Sequence, residues 1–484
     1  MRWAQVVVQG IVQVSGRAVV RAAAGLLLCG GFALASEPAT IGTPVAVADD
    51  DAATREQELL ERIAKLESMV LEMQKEMGTL EMNGVLARLH VLEADAAGGL
   101  DVLWKDGLRI ENPDGSVKLR IGGRVITDFQ NSSGDGDLSS VLGDAVDDDA
   151  AEIRTARLYM SGEIDQVWEY KAEFDFVDTD ADVKDAYVGL LRSPVGRVRV
   201  GHIREPFSLE DQTSSKYVSF MERALPNALA PGRNIGVLVN DHTESEALNW
   251  AAGLFKTTDD GGDDEGQDGE WGLTGRLTGT PLYREHDDGP EFVHLGAALS
   301  RRSDEWTSVS VRPEVHTGPR FIETGTIDGV DQIELLGLEA AYQCGPFSIS
   351  GERIEMDVER GSGMEDLSFD GHYVQASWFL TDGDHRGYKR DVGTFDRVKP
   401  QRPFGMGEGE GCGAWELAAR VSSIDVDDGE FTLAAGTGGM VDSTSFGLNW
   451  YMNNNVRVLW NYIDAELDDV DDADYLTMRV QVEF

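Results

Sequence analysis

Tyr475-Leu-Thr-Met-Arg-Val-Gln-Val-Glu-Phe484 alternates without a break. Leu476, Met478, Val480, Val482 and Phe484 share one face of an extended chain; Tyr475, Thr477, Arg479, Gln481 and Glu483 share the other. Successive side chains of a strand point to opposite faces, so this segment has one apolar and one polar surface. Its length is that of a tilted strand crossing a bilayer. A soluble edge strand with one wet face alternates in the same way, and the sequence around it separates the two readings.

Period-2 alternation runs back to about residue 100. Val117, Leu119, Ile121 and Val125 oppose Lys118, Arg120 and Arg124. Trp168, Tyr170, Ala172, Phe174 and Phe176 alternate with Glu169, Lys171, Glu173 and Asp175, and Gly196-Arg-Val-Arg-Val-Gly201 alternates arginine with valine. Further strands are predicted near 153–162, 183–191, 234–241, 248–256, 271–279, 292–302, 306–314, 335–343, 346–353, 371–380, 414–423, 441–452 and 455–464. That makes sixteen or seventeen segments, and a closed barrel needs an even number, so a 16-stranded antiparallel transmembrane β-barrel over 100–484 is expected. Short turns are predicted at Arg192–Gly196, Cys344–Pro346 and Asn453–Asn455, and long acidic, glycine-rich outer loops at 130–151, 257–270, 357–370, 381–410, 424–440 and 465–474. A two-sheet sandwich is the soluble alternative. The charged faces fit a water-filled lumen better, and Trp104, Trp168, Trp250, Trp378, Trp450, Trp460, Tyr373, Tyr451 and Tyr462 are placed to form interfacial girdles.

Upstream of the strands the chain changes character. Arg2, Arg17 and Arg21, the apolar stretch Ala22–Leu34 and the small residues around Ala35 read as a signal peptide over 1–35, with a retained signal anchor as the alternative. Residues 36–54 read as a linker. Leu59, Ile63, Leu66, Val70, Met73, Met77 and Leu80 keep a 4-3 spacing, which predicts a periplasmic coiled-coil helix over 55–83, followed by a second linker over 84–99. A single amphipathic helix is the alternative. Cys344 and Cys412 either pair in an oxidising envelope or stay free.

The net charge of −45 excludes nucleic acid as a partner. Most of the acid falls in the connections, and none of its runs has the spacing of a calcium loop, so no metal site is predicted. Neither is a cofactor. The eight histidines are scattered and form no constellation with a nucleophile and an acid, so an enzyme is not expected.

If the apolar faces meet lipid, the lumen receives Arg120, Arg124, Arg157, Arg197, Arg199, Arg276, Arg420, Arg457 and Arg479, together with Asp128, Glu169, Glu173, Asp175, Asp185, Glu339, Glu352, Glu416 and Glu483. Arg479 is opposed along its own strand by Glu483. A count of these charges gives no anion filter; the charges that meet at the narrowest point decide. The connection 204–233 differs from the others in being moderately apolar and poor in acids, so it is expected to pack inside the barrel and narrow the pore. Thr213, Ser214 and Ser215 offer hydroxyls, and Lys216, Arg223 and Arg233 offer positive charge.

Gly122-Gly-Arg124, Lys184-Asp-Ala-Tyr187, Gly196–Gly201, Glu205-Pro-Phe207, Thr213-Ser-Ser215 and Met221-Glu-Arg-Ala-Leu-Pro-Asn-Ala228 closely resemble the phosphate-selective porin O and P family. Fainter matches at Arg312–His316, Gly387–Arg390, Arg397–Pro400 and Gly413–Glu416 extend the resemblance over about 100–484. It implies a trimeric outer-membrane barrel whose third loop folds inward around an anion site. Ser214 and Ser215 would then be hydroxyl ligands, Arg223 and Arg124 charged ligands, Arg157 a lining residue and Asp185 an acceptor for protonated phosphate. The chain departs from the family pattern in having a single arginine in Trp306–Pro313 and the acidic pair Glu210-Asp211 in the constriction loop, which together imply a relaxed filter. The expected function is passive diffusion of small anions such as phosphate or polyphosphate through an outer-membrane porin. A general porin without charge preference, and an envelope protein tethered to the cell wall through 55–83, are the alternatives.

Overall fold

The computed structural model describes residues 100–484, apart from 135–137, 139–140, 143–148, 178–180, 259–270, 304–305, 362, 406–410 and 429–438, together with Lys65 and Ser68. The chain divides into Met1–Gly99 and Leu100–Phe484. The signal, linker and coiled-coil readings of the first unit lie outside the described residues.

In the second unit sixteen antiparallel strands close on themselves. They are β1 (Val117–Gly134), β2 (Ala150–Ile164), β3 (Trp168–Asp175), β4 (Asp182–Ser193), β5 (Gly196–Arg204), β6 (Arg233–His242), β7 (Leu248–Lys256), β8 (Trp271–Arg284), β9 (Glu291–Arg302), β10 (Val330–Cys344), β11 (Phe347–Arg360), β12 (Leu367–Phe379), β13 (Ala414–Asp425), β14 (Met440–Tyr451), β15 (Val456–Leu467) and β16 (Asp471–Glu483). Each pairs with the next, and β16 returns to β1 from Arg124↔Glu483 to Ala473↔Gly134. Closure leaves no open edge, which a bilayer does not tolerate. A hairpin of Asp101–Trp104 and Leu108–Glu111 continues the same edge of β1 below the end of β16, with Glu111 opposite Lys118. At that junction Gly123 N–H donates to the Phe484 carbonyl at 2.8 Å, and a Cβ on Gly123 would sit 2.8 Å from the Phe484 ring. The Arg157 carbonyl of β2 would lie closer still, at 2.5 Å, so the neighbouring strand and the aromatic side chain together require glycine there.

The last strand is oriented as its alternation predicts. Leu476 is 59% exposed on the outer wall, whereas Arg479 is 2% exposed on the inner one. Trp168, Trp250, Trp378 and Tyr462 face outward as expected, but Tyr373 and Tyr451 point inward and donate hydrogen bonds to Glu352 and Glu416, both at 2.7 Å. Trp450 is covered by Phe404 and stacks on Trp415. Cys344 and Cys412 are free thiols.

The segment 306–314 is not a barrel strand. It forms short ladders with 322–328 inside the connection after β9, because Val309, Val311 and Val315 join an interior apolar cluster. Residues 381–410 were expected as an outer loop, but the connection 380–413 leaves β12 at the end that carries the short turns 194–195 and 345–346. This segment turns up into the barrel: Gly387–Lys389 pairs with Thr394–Asp396, Tyr388 stacks on Phe292, and Gln343 and Asn249 of the wall donate to the carbonyls of Arg386 and Arg390. The connection at 465–474 is also shorter than expected, a turn of 468–470, because β15 and β16 extend into the acidic sequence.

That extension shows in β15 as an exchange of polarity between faces. Near its start the inner face carries Arg457 and Asn461, and the outer face Trp460 and Tyr462. Further along, Ile463, Ala465 and Leu467 are buried inside, and Asp464 and Glu466 are exposed outside. The apolar inner positions pack against Phe207, Leu225 and Leu229 of the loop between β5 and β6 and against Val309, Val311 and Phe321 of the loop after β9. In its outer half the barrel thus encloses an apolar cluster.

Candidate functional site

The loop 205–232 crosses the lumen, held by wall side chains that bond its backbone. Glu352 accepts from Leu209 N–H and Glu210 N–H, both at 2.7 Å, at the start of a single helical turn, Leu209–Gln212. A carboxylate at these otherwise unpaired N–H groups is favourable. Asn449 donates to the Ser219 carbonyl at 2.7 Å, Ser422 accepts from Leu225 N–H at 2.9 Å, and Arg457 donates to the carbonyls of Val218 and Ser215 at 2.8 and 3.1 Å. Glu205 anchors the first end to Arg302 at 2.9 Å and Asn234 at 2.7 Å.

Strands β11–β16 thus grip the loop and leave Ser214, Ser215 and Lys216 facing β1–β6 across a cavity of about 390 Å³. Arg120, Arg124, Arg157, Lys171, Arg204 and Arg233 approach from the wall side and Lys389 from the segment entering at the short-turn end. With Lys216 these are eight cations, against the two carboxylates Glu173 and Asp185. Asp185 lies 2.8 Å from Arg233 through one oxygen and 2.5 Å from Lys171 through the other, and Glu173 lies 2.7 Å from Lys171, 3.4 Å from Arg157 and 3.9 Å from Arg124. The carboxylates fix the cations in place without matching their number. Arg124 Nε is buried without a hydrogen-bond partner among the described residues. Burial pulls the Lys216 ammonium below the usual lysine range, with the Glu483 carboxylate opposing the shift.

A second cavity of about 190 Å³ shares Arg157, Arg204, Ser215 and Arg233 with the first and adds Arg154, Lys184 and Glu222. Burial disfavours an ionised Glu222, but Arg154 at 2.9 Å and Arg479 at 2.6 Å outweigh it and hold the carboxyl well below its ordinary range.

Seven of the expected site residues, Arg124, Arg157, Asp185, Ser214, Ser215, Lys216 and Arg233, come together around the first cavity. Arg223 does not join them. It reaches the second cavity, and its guanidinium donates to the carbonyls of Glu210, Asp211 and Thr213 at 2.9, 3.2 and 3.1 Å, which closes the loop on itself. Of the lumen arginines, Arg120 lines the cavity. Arg197 and Arg199 share Glu169, at 2.5 and 3.1 Å, toward the short-turn end, and Arg457 and Arg479 are buried against the loop. Glu483 does not oppose Arg479; it pairs with Lys216 at 3.0 Å and Arg397 at 2.7 Å.

The acidic pair also turns out differently from expectation. Glu210 is buried under the loop, where it accepts from Ala224 N–H at 2.8 Å, and Asp211 pairs with Arg204 at 3.1 Å. Lys171, Arg204 and Lys389 were not anticipated. The first lies on the polar face of an alternating segment, and that phase was a usable signal. Lys389 sits in the connection 381–410, whose acidic, glycine-rich composition read as an outer loop.

Residues 125–484 match the family described as phosphate-selective porin O and P. Porin O of Pseudomonas aeruginosa is 26% identical over 430 residues, covering 80% of this chain and 93% of that protein. An uncharacterized protein of Caulobacter vibrioides is 29% identical over 384 residues, 76% of this chain and 72% of its own. Among solved structures, an anion-selective porin from Comamonas acidovorans superposes with a TM-score of 0.45 at 12% identity, over 76% of this chain and 100% of its own.

Proposed function

The chain belongs to the phosphate-selective porin O and P family, and from that premise we propose that this outer-membrane porin passes small anions, phosphate and polyphosphate among them, by passive diffusion past the cavity between Ser214–Lys216 and the wall of β1–β6. One observation carries the reading: eight cations and two carboxylates line the cavity between the loop and the wall, while the further carboxylates Asp175, Asp211, Glu483 and Asp396 pair with Arg157, Arg204, Lys216 and Lys389 from behind the lining. An anion that leaves part of its water there meets guanidinium donors set for bidentate contact with phosphate oxygens. Ser214 and Ser215 act as hydroxyl donors, and Arg124, Arg157 and Arg233 as charged ligands. Asp185 keeps Arg233 and Lys171 in position. Arg223 supports the site by shaping the loop. Zero-current potentials across a planar bilayer in a KCl gradient, repeated with added phosphate, test this reading. Chloride selectivity that phosphate blocks is the expected result, and cation selectivity overturns it.

The finer parts of this reading rest on the sequence. The heptads of 55–83 support a periplasmic coiled coil that joins the barrels of a homotrimer or ties them to the cell wall. Deleting 55–83 while following oligomeric state and wall attachment tests both roles, with conductance per barrel expected to persist.

A further inference from the structure

Lys216 brings its ammonium to the cavity wall, 3.0 Å from Glu483 Oε2. The same oxygen accepts a hydrogen bond from Arg397 Nη2 at 2.7 Å. Arg397 comes from the segment that enters at the short-turn end; its Nη1 bonds the carboxylate of Asp106 in the turn of the amino-terminal hairpin, and its Nη2 also reaches the Tyr217 hydroxyl at 3.4 Å. Lys216, Glu483, Arg397 and Asp106 thus form a row of charges alternating in sign, and Lys216 is the member of the row that lines the cavity.

We infer that Glu483 and Arg397 are positioning residues that set how strongly a passing anion feels Lys216, so that selectivity is adjusted from outside the anion path. Coulomb potentials add, so Glu483, 3.0 Å from the Lys216 ammonium, subtracts from its pull on the lumen, and Arg397, 2.7 Å from the same oxygen, offsets part of that subtraction. Because the signs alternate, removing successive members changes the field at the cavity in opposite directions. The inference rests on the cavity being the ion path.

The test is the chloride-to-potassium permeability ratio of the full-length protein in planar bilayers. E483Q is expected to raise the ratio and R397Q to lower it, each about twofold, the scale of one elementary charge relocated at short, partly screened range. R397K, which keeps the charge, is expected to retain the wild-type ratio. In a K216Q background the E483Q and R397Q shifts are expected to shrink, because only the direct field of the altered charge then remains. Shifts of the same sign, or shifts undiminished by K216Q, overturn the inference. If E483Q fails to insert, R397Q against R397K in the two backgrounds decides it alone. The wild-type ratio in the same recordings tests the anion reading separately: an unselective wild type with opposite shifts in the two variants keeps the cavity as the ion path and the inference with it, and rejects the preference for anions.

Discussion

Arg479 and Asp128 face each other across the seam that closes the barrel, joined by two parallel hydrogen bonds of 2.7 and 2.6 Å. Arg479 also donates to Glu222 at 2.6 Å, so one guanidinium links the last strand, the first strand and the constriction loop. Its bidentate geometry and burial make it a joint that one partner cannot maintain alone.

Replacing Arg479 by methionine leaves Asp128 and Glu222 short of a buried cation. The expected loss is about 3–5 kcal/mol, seen as a lower urea midpoint for unfolding in detergent. The double variant R479M/D128N is expected to recover part of the loss, because the unpaired carboxylate is then gone.

Arg233 lies on the cavity wall and pairs with Asp185 at 2.8 Å. R233Q removes a charged ligand and releases a carboxylate toward the anion. Losing one charge-assisted contact, about 1.5–3 kcal/mol, corresponds to phosphate block of chloride current weaker by about tenfold or more. The half-blocking phosphate concentration measures it.

Lys216 gives the pore a pH dependence of predictable sign. A lysine is charged below its pKa, and burial lowers this one from the ordinary value near about 10.4. Chloride selectivity is therefore full at neutral pH and begins to fall, as pH rises, before an unperturbed lysine would titrate. K216R holds its charge throughout and is expected to flatten the alkaline limb of the selectivity curve.

Phe379 pairs with Glu416 at the foot of β12 and β13, so a short turn can replace 380–413. Removing that segment takes Lys389 and the Gly387–Asp396 hairpin out of the lumen. Single-channel conductance is expected to rise and chloride selectivity to fall, with the barrel still resistant to SDS at room temperature.

Glu352→Gln weakens the hold on the helical turn at Leu209. The amide keeps one acceptor oxygen where the carboxyl offers two, so one of the two backbone N–H groups loses its partner. Open-channel current noise is expected to increase while the unfolding midpoint changes little, since the strand ladders remain.

The alternation of 475–484 was sufficient to set the inner and outer faces of the last strand, because side-chain direction along a strand is fixed locally by the pleat. The hydroxyls and cations of 213–216 were legible for a similar reason, since an apolar, acid-poor connection has to find a packed environment. Val309 and Val311 misled, because alternation records only that one face is buried. It does not say whether lipid or a loop core buries it. Glu210 and Asp211 misled in a related way. Their charge is plain in the sequence, but Ala224 N–H and Arg204, which occupy them, are brought near only when the loop folds.

By itself the sequence determined the period of the strands, the inward loop and most of the cations that surround the cavity, all of which follow from local pattern and composition. The tertiary structure alone decided that 380–413 enters from the short-turn end, that the outer half of the barrel encloses an apolar cluster, and that Lys216 shares Glu483 with Arg397. These depend on strand parity around a closed ring and on charges hundreds of residues apart, and only closure of the barrel brings them to hydrogen-bonding distance.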